Sequence, residues 1–120
     1  MLFYFKNYTM TNWTNNFDGA ITVCDENFTI TYMNEKSKKT FETPETGTLV
    51  GKYLFDCHNE NSKKNILRIK ESKSPNVYTI EKNGIKKIIY QSPIFENDEF
   101  KGLVELSLEI PFELPHFKRD

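Results

Sequence analysis

Asp56, Cys57 and His58 set a carboxylate, a thiol and an imidazole at three consecutive positions. Neighbouring residues on a helix do not face each other, so Cys57 and His58 make a poor thiol–imidazole dyad. Cys57 reads instead as a buried, inert thiol. His58 reads as an imidazole at a helix C-terminus, hydrogen-bonded or favoured by the helix dipole, with contact to an organic ligand as the functional alternative. Asp56 reads as an acceptor for backbone amides across a loop, in preference to a catalytic acid or base. Tyr32, Tyr78 and Tyr90 each join a ring to a hydroxyl that can orient a small molecule. With His58 they form the expected ligand set. Which of them share a wall depends on strand register, because a slip of one residue exchanges the faces.

Other chemistries lack their residues. The chain has only two cysteines and two histidines, too scattered for zinc spacing, so no metal site is assigned. There is no phosphate-cradling glycine loop and no Ser–His–Asp set. No acid, base and electrophile can be placed together, so no catalytic residue is named and the chain is not expected to be an enzyme.

The elements that must hold these side chains follow from hydropathy patterning. Residues 20–25 alternate, with Ile21 and Val23 against Thr22 and Cys24. Residues 28–33 alternate after an Asp25-Glu26-Asn27 turn, which makes a first hairpin. Asn34 is placed to cap a short helix over 35–41, and Thr43-Pro44 through Gly47 ends it. Residues 49–58 suit a buried single helical turn. A longer helix, capped by Asn61 or Ser62, is expected to run through Glu71 with Ile66 and Ile69 towards the sheet, until Ser74-Pro75 stops it. Three strands then follow, over 76–82, 85–95 and 100–110. The first of their turns is Asn83-Gly84, the strongest short hairpin signal because a type I′ turn needs φ > 0 at both central residues. In the last strand Val104, Leu106, Leu108 and Ile110 alternate with Glu105, Ser107 and Glu109. That pattern predicts the aliphatic side packed beneath the helices and both glutamates outside.

At 120 residues, 38% of them hydrophobic and 14% aromatic, the chain suits one domain with one core. A formal net charge of −1 gives no basic field for nucleic acid. No apolar run approaches the roughly 20 residues of a membrane-spanning helix. The opening Met1–Phe5 run is too short for a signal-peptide core, so a cytoplasmic location with reduced thiols is expected. Leu2 and the aromatic residues Phe5, Tyr8 and Trp13 suggest a weak helical stripe within 1–17, acting as a cap or a dimer contact.

This order of hairpin, short helices, longer helix and three-stranded meander resembles the PAS domain superfamily. The match is carried by Tyr32-Met33-Asn34, by Leu49-Val50-Gly51-Lys52 with Leu54-Phe55-Asp56, and by Asn83-Gly84, Gly102 and Val104-Glu105. The Asp56-Cys57-His58 ending is similar to short stand-alone bacterial PAS sensor proteins. The resemblance implies an α+β fold, a five-stranded antiparallel sheet in the order 2-1-5-4-3 with short helices on one face enclosing a pocket. The PAS domain would occupy 18–110, between an N-terminal cap or dimerisation segment (1–17) and a C-terminal tail (111–120). Haem-binding PAS sensors use a histidine near the pocket, usually on the longer helix, so a haem role for His58 is the lesser implication. The Asn-Cys-Arg run of flavin photoreceptors is absent. Pro111 and Pro115 forbid a continuous helix after the last strand, so any output is expected from a separate signalling protein or from homodimerisation. The expected function is a sensory module that binds a small molecule, a protein partner or both, with no cofactor required. The alternative is a homodimerising interaction module with a filled core.

Overall fold

The computed structural model describes residues 12–57 and 60–120, without the side chain of Cys57. Within them lie α1 (Trp13–Asn16), β1 (Ala20–Asp25), β2 (Ile30–Met33), α2 (Glu35–Phe41), a 3-10 turn (Leu54–Cys57), α3 (Glu60–Ser72), β3 (Asn76–Lys82), β4 (Ile85–Glu96) and β5 (Glu99–Ile110). The five strands form one antiparallel sheet in the order β2-β1-β5-β4-β3. His58 and the stripe residues Leu2, Phe5 and Tyr8 lie outside the described residues.

Local chemistry accounts for most element boundaries. Asn83 and Gly84 have φ of 53° and 77°, so the β3–β4 hairpin turns as Asn-Gly requires. Asn97 and Asp98, at 51° and 65°, do the same between β4 and β5. Asn34 caps α2 by accepting from the Ser37 amide at 2.9 Å. The other side of that oxygen accepts from the Ile21 amide at 2.9 Å, and the side-chain nitrogen donates to the Thr14 and Gly19 carbonyls, both at 2.8 Å. One fully buried amide thus ties α1, β1 and α2 together. Asp25 is the carboxylate that bridges backbone amides across a loop, accepting from Asn27 and Thr29.

The core lies between the sheet and α2, the 3-10 turn and α3. Cys24, Ile30, Met33 and Leu103 from the sheet meet Leu49, Leu54, Phe55, Ile66 and Ile69. Phe28 stacks on Phe55 with ring centroids 4.7 Å apart. On α3, Ile66 and Ile69 point inward as expected, while Leu67 is exposed.

The face assignment of β5 is the reverse of the expectation. Leu103 belongs to the helix-covered core, so Glu105 and Ser107, two and four residues on, share its inner face. Val104, Leu106 and Leu108 lie on the other face, opposite Val23, Ile21, Tyr90 and Ile88 across the pairings. The alternation did show that the two faces differ. It did not show which one the helices cover, because the outer face is also apolar. Near its end that face meets Phe17, whose ring closes with Leu108 over Gly19. The fold assignment survives because it rests on strand order and on the meander, neither of which depends on facing.

After β5 the chain has no regular structure, and Phe112, Leu114 and Phe117 are exposed. The tail does not fold back over the sheet. The Lys86 ammonium links the tail to the sheet by donating to the Phe112 carbonyl at 3.2 Å.

Candidate functional site

A cavity of about 380 Å³ opens between the inner face of the sheet and the α2 to 3-10 segment. Its size falls at the lower end of the range for small-molecule sites. Ile30, Met33, Leu49 and Leu54 supply apolar wall, with Phe41 at its edge. Thr22, Thr46, Asp56 and Glu105 supply the polar part.

Each polar group is placed by a local cause. Thr22 and Glu105 face each other across the β1–β5 pairing, and Glu105 faces Gln91 across β4–β5. The Gln91 amide donates to Glu105 Oε2 at 2.8 Å, and Asn76 donates to Gln91 Oε1 at 3.1 Å. This chain of three side chains crosses β3, β4 and β5 on the inner face and holds the carboxylate towards the cavity. Thr22 shares a 2.5 Å hydrogen bond with Ser37, which ties the cavity's back wall to α2. Asp56, in the 3-10 turn, is exposed and borders the cavity; its backbone N–H donates to the Tyr53 carbonyl, and among the described residues its carboxylate bridges no loop amides.

The structure does not gather the sequence-derived tyrosines around this cavity. Tyr32 lies on the outer face opposite Val23, its hydroxyl donating to Thr14 at 3.1 Å. Tyr90 is on the outer face opposite Leu106 and is 39% exposed. Tyr78 is on the inner face, but on edge strand β3 and 43% exposed. Burial first, and then the negative charge of Glu105, hold its phenol above the usual range. His58 lies outside the described residues. Glu105 was missed because it was read as outward. The available signal was a polar residue in each of three adjacent strands, Thr22, Gln91 and Glu105, which makes sense only if they meet.

Cys24 is a free thiol, 3% exposed, behind the cavity. Burial pushes its pKa from 9.0 up to about 11. The thiol is therefore protonated in both folded and unfolded chains below about pH 9, and its contribution to stability is constant there. Stability falls as pH rises from about 9 through 11, where the unfolded chain ionises first. Iodoacetamide at pH 8 is expected to leave the Cys24 peptide unmodified in the native protein and to alkylate it in urea, read by peptide mass mapping. Equal labelling in both would contradict the burial.

No protein-family model matches this sequence, and no curated protein matches it. Solved structures do match. A sensory box sensor histidine kinase from Vibrio cholerae aligns over 92% of this chain and 97% of its own, with 13% identity and a TM-score of 0.63. The PAS domain of the histidine kinase ThkA aligns over 74% and 96%, with 19% identity and a TM-score of 0.60. The Vibrio cholerae Aer2 receptor, described as a dual PAS-heme oxygen sensor, aligns over 78% and 95%, with 15% identity and a TM-score of 0.56. The fold of this chain is the PAS fold, with the strand order and helix placement expected of it. Among the described residues, no helix is long and apolar enough to cross a membrane.

Proposed function

We propose that this domain is a non-enzymatic sensory module. A small molecule occupies the cavity, and its binding biases an interaction made with a separate protein partner. The observation that carries the reading is the cavity of about 380 Å³, apolar over most of its wall and bordered by inward-held polar groups. The Thr22–Ser37 and Asn76–Gln91–Glu105 hydrogen bonds support a route from that wall to α2 and to the edge of the sheet. A ligand shifts such an equilibrium only by its differential affinity for the two states, commonly about 1–3 kcal/mol.

Haem is a poorer match to this wall than a small organic molecule. The sequence-based case for it rests on His58, and the described lining carries two carboxylates and no cation to pair with a haem's own carboxylates. The oxygen-sensing neighbour's haem is that protein's property.

A second reading, homodimerisation, is favoured by the outer face. Val104, Leu106, Leu108, Ile88 and Tyr90 form an apolar surface there, with Lys86 at its end. Such a face sets little like charge against a second copy. Native mass spectrometry of gently purified protein tests both readings in one spectrum. The expected result is retained small-molecule mass, with a dimer that Leu106→Glu dissociates while the cargo stays. A bare monomer that also fails to take up any small molecule would sink both.

A further inference from the structure

We propose that the cavity takes a small, mostly apolar molecule bearing a protonated amine, held by the carboxylates of Glu105 and Asp56. The inference rests on the ligand-binding reading above and names the ligand's chemistry. The charged groups that the lining leaves unspent are both acceptors. The Thr22 hydroxyl is engaged with Ser37. The Thr46 hydroxyl accepts from the Thr43 amide and faces the Thr43 and Gly47 carbonyls. Glu105 uses Oε2 for Gln91, and among the described residues its Oε1 has no donor. The Asp56 carboxylate likewise has no hydrogen bond or ion pair among the described residues. Among the described residues no lysine or arginine lines the cavity, and the nearby Lys52 ammonium is hydrogen-bonded to the Thr46 carbonyl.

Two carboxylates, Glu105 half-buried and Asp56 exposed at the rim, repel a ligand carboxylate or phosphate, whereas an ammonium offers them charge-assisted hydrogen bonds. The aliphatic wall accounts for the rest of the molecule. With about 30 Å³ for each water-sized group, the cavity holds on the order of a dozen non-hydrogen atoms. Gln91 is a positioning residue here: it contacts Glu105, and Asn76 anchors it in turn.

Three probes of nearly equal size separate charge from shape: 2-phenylethylamine, 2-phenylethanol and 3-phenylpropanoate. Each is titrated into the whole chain and followed by amide chemical shifts. The amine is expected to bind at least about tenfold more tightly than the alcohol, with the carboxylate weakest. Glu105→Gln is expected to abolish the amine's advantage over the alcohol, and amide-shift dispersion matching the parent's checks that the fold is intact. An amine no tighter than the alcohol overturns the proposal and leaves the cavity a ligand site. So does an advantage that survives both Glu105→Gln and Asp56→Asn. If none of the three binds, the ligand-binding reading and this proposal fall together.

Discussion

Replacing Asn34 by alanine should cost the domain about 3–5 kcal/mol, a large part of the stability of a domain this size. The side chain is 0% exposed and makes four hydrogen bonds, two accepted and two donated, which uses the full capacity of a primary amide. Alanine leaves the Ile21 amide and the Gly19 carbonyl buried without their partner, at about 1–3 kcal/mol for each such group. It also removes the α2 cap, worth about 1 kcal/mol. The Thr14 carbonyl, nearer the surface, can recover water, which keeps the total below a simple sum. Urea denaturation read by circular dichroism measures the loss directly. Asn34→Asp separates hydrogen bonding from volume. At pH 7 it sets a negative oxygen against the Thr14 and Gly19 carbonyls, and in acid the protonated carboxyl can donate to one of them again. The aspartate variant should therefore regain part of its stability as pH falls from 7 to 4, whereas the alanine variant should show no such recovery relative to the parent. An alanine variant within about 1 kcal/mol of the parent would remove Asn34 from the account of how α1, β1 and α2 are joined.

What the amino-acid sequence discloses about this molecule divides by range. Asn34 ahead of a helix and Asn83-Gly84 between alternating runs were readable because their consequences lie within three or four residues. Strand order followed from the resemblance alone. Facing was not readable. Alternation along 104–110 says that one side differs from the other, but here the side beneath α2 and α3 carries the polar Glu105 and Ser107, while the outer side is apolar and half-exposed beside Phe17. The register shift between Ile94 and Phe95 further breaks parity counted back from the β4–β5 turn. The cavity's polar groups were illegible for a related reason. Gln91 and Glu105 are 14 residues apart, and Asn76 and Gln91 are 15 apart; each reads as a solvated strand residue until pairing brings them together. Tyrosines drew notice as ligand residues by type alone, and register then sent Tyr32 and Tyr90 to the far side.

Gly102→Ala should be as damaging as the loss of Asn34, and for the opposite reason: it adds an atom where none fits. Gly102 pairs with Asp25 in β1 and has φ +152°, a backbone conformation that L side chains rarely adopt. A Cβ there would lie 2.2 Å from the Cys24 carbonyl oxygen, which is backbone and cannot swing away. The strain and the clash together should cost about 3–5 kcal/mol. Gly51→Ala is the matched control. Its φ is +94°, but a Cβ would meet nothing within 4 Å, so only the backbone term of about 1–3 kcal/mol applies. Relief in the Gly102 variant can come only by moving β1 away from β5. That movement separates Thr22 from Glu105, which line the cavity, and Cys24 from Leu103 in the core behind it. Gly102→Ala should therefore weaken binding of the phenyl alcohol probe as well as lowering the urea midpoint, and Cys24 should become reactive to iodoacetamide in the native state. A Gly102 variant no less stable than the Gly51 variant, with Cys24 still protected, would mean that β1 and β5 do not meet this closely, and the cavity wall drawn from their pairing would go with them.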